Sequence, residues 1–306
     1  MKWEKLGLIF NAENQFDWMC SHASLPIAQN LNGDIFRIYF STRDSNNRSN
    51  GAYIDIDILY PNKILNISEK PLLEYGKTGL FDESGSQPCC IFNYKNDIFL
   101  YFTGWSLIDT LPYKTAVGLY NKKQSQFIKY SDLPIIDSFG NHHLSIGYAF
   151  VTHHNNLFKM WCEVNEKWVK NNETNKVEPH FVIKYATSKN GINWKWNNST
   201  CIHDRLGENI ISRPSVIIED NIYKMWYSYK KNALYTLGYA ESLNGIDWQR
   251  KDQEVGIETS KFGWDSEEIE YPYVFDHKGD RYMLYNGNGY GRTGFGLAKL
   301  QKQELL

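Results

Sequence analysis

YKMWYSYKKNALYTLGYAESLNGIDW, residues Tyr223 to Trp248, decides the fold because the chain carries its pattern twice. FKMWCEV (Phe158–Val164) repeats its first part, and IKYATSKNGINW (Ile183–Trp194) repeats its second. Self-similarity of this kind marks a repeat architecture. Within each copy, short aromatic or alternating runs are separated by the turns Asn190-Gly191 and Asn244-Gly245. Asn-Gly is hairpin chemistry, and no helical period competes with it. With RPSVIIEDN (Arg213–Asn221) upstream, one unit holds about four strands: PSVII, YKMWYSY, LYTLGYAES and IDWQRK. That is the content of a propeller blade.

The proline that opens the first strand extends the repeat to Pro26, Pro88, Pro214 and Pro272, and Ala149 in GYAFV fills the same place without a proline. Twelve residues on, the count gives Ile38, Leu100, Trp161, Trp226 and Leu284 as the middle of each second strand. The expected fold is therefore all-β: one five-bladed β-propeller over residues 1–306, four antiparallel strands per blade. The blades are expected at about 16–70, 77–132, 139–198, 206–252 and 262–300. GFGLAKL (Gly294–Leu300) has no outer strand after it, so the N-terminal strand at 2–9, with Trp3 in the place of Trp194 and Trp248, is expected to join the last blade and close the ring. Closure removes an exposed sheet edge. EKWVKNNETNKVEP (Glu166–Pro179) interrupts the third blade and reads as a polar surface loop.

Composition excludes several classes of function. The net charge is −2 from 33 basic and 35 acidic residues, with no basic run interleaved with aromatics, so a nucleic-acid partner is not expected. The five cysteines form no CxxC pair, and His142-His143 and His153-His154 lack metal-ligand spacing, so neither a metal nor a cofactor is expected. The N-terminus shows no signal-peptide pattern, and no stretch reaches the roughly 18 apolar residues of a membrane span. A cytoplasmic location is the expectation. The glycine-rich YNGNGYGRTGFG (Tyr285–Gly296) has no helix after it and reads as a hairpin turn.

In such a blade, first-strand starts and second-strand ends share one face. The first group supplies His22, Ser24, Asp82, Glu83, Gln87, His143, Arg213, Glu267, Glu268, Glu270 and Tyr271; the second supplies Arg43, Asp44, Trp105, Glu163, Tyr229, Asn286 and Asn288. Carboxylates beside aromatic faces suit a sugar, whose hydroxyls and C–H surface they match. Asp82, Glu83, Glu163 and Glu268 are the candidate catalytic acids; His22, Arg43, Asp44, Trp105, Arg213, Glu267, Glu270, Tyr271 and Asn288 are the candidate substrate contacts. Plainer readings compete: an Asx-turn for Asp82 and Asp265, a rim charge for Glu163, and a structural ion pair for Arg43-Asp44.

RPSVI, KMWYSY and YAESLNGIDW resemble the five-bladed β-propeller glycoside hydrolases and phosphorylases, the furanosidase-like superfamily of families 43, 32, 62, 68 and 130, over nearly the whole chain. More narrowly, the chain resembles members of bacterial surface-polysaccharide clusters. The resemblance implies a sugar or oligosaccharide ligand and a glycosidic bond cleaved or transferred. It departs at the acids: Leu25, Gln87 and the stretch Ser145–Tyr148 stand where the family 43 pattern implies carboxylates. A standard hydrolase needs two carboxylates about 5 to 9.5 Å apart. By the same resemblance, a family 130 phosphorylase needs one acid and a basic cluster for phosphate, to which Arg43, Arg213 and a channel histidine could contribute. Three readings stay open: an enzyme acting by hydrolysis, phosphorolysis or transfer; a non-catalytic glycan-binding propeller; and a protein-interaction propeller. The oligomeric state is not legible.

Overall fold

Period-two runs rich in aromatic and β-branched residues form strands because alternate side chains reach opposite faces and both faces are buried. The computed structural model describes residues 1–107, 113–136, 145–170, 175–231 and 233–302, and these hold twenty strands with hardly any helix. β1 is Trp3–Phe10. The first unit is β2 (Ser21–Asn32), β3 (Ile35–Arg43), β4 (Ser49–Asp57) and β5 (Ile64–Ile67), and the second is β6 (Ser86–Tyr94), β7 (Asp97–Gly104), β8 (Lys114–Asn121) and β9 (Gln126–Lys129). The third is β10 (Ile146–His154), β11 (Leu157–Lys170), β12 (Val177–Ser188) and β13 (Trp194–Ile202), and the fourth is β14 (Glu208–Glu219), β15 (Ile222–Lys231), β16 (Leu234–Ser242) and β17 (Gln249–Arg250). β18 (Glu270–His277), β19 (Asp280–Asn286) and β20 (Phe295–Leu300) complete the set.

Within each unit, consecutive strands pair antiparallel. The first and second units are separate four-stranded sheets, while the third and fourth join into one eight-stranded sheet through a single parallel pair, Phe181 with Ile210. β1 pairs antiparallel with β20, Trp3 opposite Leu300, and so adds the fourth strand to β18–β20. The first strands touch in the order β2, β6, β10, β14, β18, and β18 also touches β2.

The repeated turns explain how neighbouring units lock. Ser242 Oγ accepts the N–H groups of Asn244 and Gly245, as Ser188 Oγ accepts those of Asn190 and Gly191. Gly245 and Gly191 take the left-handed φ values, 77° and 74°, that such turns require. Each turn then offers its glycine carbonyl to the unit before it: Trp161 Nε1 donates to Gly245 O at 2.7 Å and Tyr101 Oη to Gly191 O at 2.9 Å.

Two expectations change. The insertion Glu166–Pro179 is not a loop where it is described. It lengthens β11 and β12 into a hairpin arm, paired out to Lys170 opposite Val177, because its adjacent Trp168 and Val169 are strand-formers; residues 171–174 lie outside the described residues. The twelve-residue count also slips by one in the first two units, where Tyr39 and Tyr101, not Ile38 and Leu100, hold the place of Trp161, Trp226 and Leu284. An extra register shift between Asn30 and Asn32 adds the residue in the first unit. In the second, Cys90 occupies the place of Ser215: Val151 N–H bonds to Cys90 Sγ as Val274 N–H bonds to Ser215 Oγ.

The β1 seam rests on Trp3, which is buried, donates from Nε1 to Val255 O at 2.9 Å and meets Trp226 edge-on at 6.2 Å. Trp3→Ala is expected to lower the unfolding free energy by about 3–5 kcal/mol in urea titration; a loss below about 1 kcal/mol would mean that β1 does not hold the last sheet together.

Candidate functional site

Every first strand carries a β-bulge near its start. A bulge leaves a residue unpaired and re-aims its side chain. The bulged residues Leu25, Tyr148, Arg213 and Tyr271 have φ of 58°, 47°, 53° and 55°, a left-handed conformation that costs a non-glycine residue about 1–3 kcal/mol. The neighbouring unit supplies the compensating hydrogen bond. Leu25 N–H donates to Asn286 Oδ1 at 2.8 Å, Tyr148 N–H to Thr103 Oγ1 at 2.9 Å, and Tyr271 N–H to Ser228 Oγ at 2.7 Å.

These acceptors share one repeated place. Ser41, Thr103, Glu163, Ser228 and Asn286 lie opposite Ser24, Gln87, Gly147, Ser212 and Glu270. Of those ten residues only Glu163 and Glu270 are acids. Bulged Arg213 reaches across to two other units, its Nη1 donating to Cys89 O at 2.6 Å and its Nη2 to Leu25 O at 3.4 Å.

The bulges surround a cavity of about 450 Å³. Its wall includes Leu25, Gln87, Glu163, Arg43 and five tyrosines, with Trp168 and Pro179 contributed by the hairpin arm. The tyrosine rings run in a chain, Tyr113–Tyr148–Tyr271–Tyr235–Tyr290, with centroids 5.6, 6.2, 5.8 and 5.8 Å apart. Burial pushes the Glu163 carboxyl up to about 8, against a weaker downward pull from the Ser212 hydroxyl and the Arg213 guanidinium. Glu270 is fully buried and is raised well above the carboxylate range, first by burial and then by Glu268. Neither Glu270 oxygen has a hydrogen-bond partner of good geometry among the described residues. Burial thus favours the protonated form of both acids, and Glu163, at about 8, keeps its proton at neutral pH.

The expected site residues divide. Glu163, Arg43 and Tyr271 line the cavity, and Glu270 lies in electrostatic reach of Tyr235 and Tyr271. Glu268 accepts the backbone N–H of Tyr235 at 3.0 Å and of Gly289 at 2.9 Å, so both its oxygens are engaged in holding the loop. Asn288 Oδ1 accepts the N–H of exposed Glu267 at 2.8 Å. Asp82 is buried in an ion pair with Lys129 at 2.5 Å, and Glu83 accepts Gly79 N–H at 2.8 Å and Ser106 Oγ at 2.7 Å; neither lines the cavity. Arg213 is spent on carbonyls. Trp105 lies under the Arg43 guanidinium at 4.9 Å. His22 and Asp44 face an adjoining cavity.

The Arg43-Asp44 ion pair does not form. Asp44 pairs with Arg48 at 2.8 Å, because a four-residue turn brings that side chain and its N–H together on the carboxylate. His142 and His143 lie outside the described residues. Sequence reasoning missed Tyr113, Tyr148, Tyr235, Tyr290, Trp168 and Arg292. Tyr148, just before Ala149, was findable from its place in the proline register; the others carry no spacing signal. Among the described residues no group of His, Cys, Asp or Glu could hold a metal ion, and no helix is long and apolar enough to cross a membrane.

Glu163 links stability to pH with a definite sign. The unfolded carboxyl ionises near its ordinary 4.5 and the folded one near 8; between these values the unfolded state binds fewer protons, so rising pH destabilises the fold by about 1.4 kcal/mol per pH unit. Glu163→Gln removes this contribution. Its stability relative to the native chain should rise steadily between about pH 5 and pH 8 in chemical denaturation; a difference that does not change with pH would contradict the buried, protonated acid.

No protein-family model matches the chain. Among solved structures it is similar to that of a BT0996 RGII complex (TM-score 0.73, 16% identity, covering 98% of this chain and 92% of that one). A thermostable family-43 glycoside hydrolase is similar too (TM-score 0.68, 14% identity, 94% and 92% covered). So is a structure from the GH130 family, described for glycoside hydrolases that target β-1,2 mannosidic linkages in Candida mannan (TM-score 0.70, 13% identity, 99% and 94% covered). At these identities the likeness is one of fold, and it is propeller-like. In sequence, the chain is 38% identical over 303 residues to the uncharacterized proteins MT1551 and Rv1502 of Mycobacterium tuberculosis, covering 98% of this chain and 100% of each of theirs. The chain belongs to the family of these two mycobacterial proteins.

Proposed function

We propose that this protein is a carbohydrate-active enzyme that cleaves or transfers a glycosidic bond, with Glu163 as the proton donor. The observation that carries the reading is the Glu163 carboxyl itself. At the place where other units put a hydroxyl or an amide, it lines a tyrosine-walled cavity and holds a proton at neutral pH. A sugar ring laid against the tyrosine faces would present its bridging oxygen to this group. The proton passes from Glu163 to that oxygen as the bond to the anomeric carbon breaks, an acceptor hydroxyl bonds to that carbon, and the acceptor's proton passes to solvent water, from which the Glu163 carboxylate is reprotonated. Hydrolysis, phosphorolysis and transfer share this step and differ in the acceptor. Glycoside hydrolases among the similar folds add support by analogy.

The same reading takes the five strand groups as the blades of one closed ring over 1–306. Support comes from the cyclic contacts of the first strands and from the β1–β20 pairing. A non-catalytic glycan-binding propeller remains the second reading, favoured by Glu270, whose carboxyl burial pushes up and which does not line the cavity, leaving Glu163 without a second carboxylate there.

Turnover of a panel of unactivated oligosaccharides and of nitrophenyl glycosides decides between the readings. Glu163→Gln should slow the oligosaccharide reaction by about 10²–10⁴-fold. The nitrophenyl glycoside, whose leaving group needs little protonation, should slow far less, and sugar binding followed by tryptophan fluorescence should persist. Equal slowing of both substrates would remove Glu163 from the acid role, and binding with no turnover of any substrate would favour the binding protein.

A further inference from the structure

One unit differs from its fellows on the cavity side. At the place that Ser41, Thr103, Glu163, Ser228 and Asn286 share, β3 stops soon after at Arg43, β7 at Gly104, β15 at Lys231 and β19 at Asn286 itself, but β11 runs on from Glu163 to Lys170. The arm so formed is anchored at its base. Phe181 pairs with Ile210 of the next unit, and Asn209 Nδ2 donates to Glu178 Oε2 at 2.7 Å.

A register shift decides which way the arm faces. On β12, Ile183, Phe181 and Pro179 alternate onto one face of the sheet, and they lie opposite Glu163, Asn165 and Trp168. The shift between Asn165 and Lys167 adds one residue to β11, Glu166, which ion-pairs with Lys184 at 2.6 Å. Without that residue, strand alternation would set Trp168 on the opposite face from Glu163. With it, Glu163, Trp168, Pro179 and Phe181 all line the same cavity. All ten tryptophans lie among the described residues, and Trp168 alone is exposed, at 38%. An indole left open on a cavity wall beside a proline offers its face to a ligand.

We infer that Trp168 and Pro179 form a distal sugar subsite, which makes the substrate a glycan chain and not a single-sugar glycoside. At about 3.3 Å per residue from Ile183 to Pro179, the platform stands about 13 Å out along the strand from Glu163. That exceeds one sugar ring. The ring whose bond Glu163 protonates does not reach the indole, and a further unit of the same chain covers it, with its C–H face on the indole and its hydroxyls toward solvent. Binding energy from that remote unit positions the reacting ring. This role in the reaction rests on the glycosidic reading above, while the platform itself requires only that the cavity bind a glycan.

Calorimetric titration of the full chain with cello-, manno- and xylo-oligosaccharide series, each from monosaccharide to pentasaccharide, tests the inference. In at least one series affinity should climb with length, and Trp168→Ala should weaken the longest member about tenfold and the monosaccharide far less, with Trp168→Tyr restoring most of the loss. For a series that is turned over, the Trp168→Ala loss in kcat/KM should grow with chain length. Binding by no member, affinity independent of length, or native affinity for every member in a Trp168→Ala chain of unchanged unfolding midpoint overturns the inference. A changed oligomeric state in that variant with native affinities would make the arm a subunit contact and overturn it too. Length-dependent binding that Trp168→Ala removes, without turnover of any series, keeps the subsite and fails the enzyme reading alone; turnover slowed in Glu163→Gln but untouched in Trp168→Ala fails the subsite alone.

Discussion

The structure depends on one repeated hydrogen bond, from the N–H of a bulged first-strand residue to a side chain on the second strand of the neighbouring unit. Bulging frees an N–H that is buried, and a buried donor must find a partner. Thr103, Ser228 and Asn286 supply it for Tyr148, Tyr271 and Leu25. Each unit is therefore completed by the one before it, and Arg213, bonded to Cys89 and Leu25, pins three units at once. The strained backbone is retained because these contacts over-determine it.

The same device produces the chemistry. Bulges turn Leu25, Tyr148 and Tyr271 toward a shared cavity and set the capping residues of the second strands behind them. Where a capping position carries Glu163 in place of a hydroxyl, the burial that suits a neutral hydrogen-bonding group withholds ionisation from a carboxylic acid. Its proton and its placement thus have a common origin. The arginines divide in a comparable way: those with carboxylate neighbours hold sheets and loops, and Arg43 and Arg292, without an ion pair among the described residues, line the adjoining cavity.

Much of the fold was legible in the sequence, because the Tyr223–Trp248 pattern states strand, Asn-Gly turn and strand in one breath and Trp3 completes the set for β20. The register of Tyr39 and Tyr101 was not. Bulges and an added hairpin residue shift spacing by one without changing the alternation that the eye follows. In the site, Glu163, ending KMWCE, was legible only as one of four candidate acids that a rim charge would equally explain, and the acids of WDSEEIEYP (Trp264–Pro272), the leading candidates in the sequence, have separate tasks. Asp265 ties Lys5 of β1 to the last sheet at 2.7 Å, Glu268 holds a loop, and Glu270 is buried beside the bulge of β18. Arg292 was hidden in a glycine-rich stretch that reads as a turn, and Tyr113, Tyr148 and Tyr235 resemble core aromatics until the units are placed side by side.

The central claim is that Glu163 carries a proton at neutral pH because of where the fold buries it. A carbon-13 titration of glutamate side-chain carboxyls, with Glu163 assigned by its absence in Glu163→Gln, addresses this directly. The account predicts a neutral carboxyl at neutral pH that titrates with a midpoint near 8. A Glu163 signal already ionised at its ordinary value near 4.5 would contradict it.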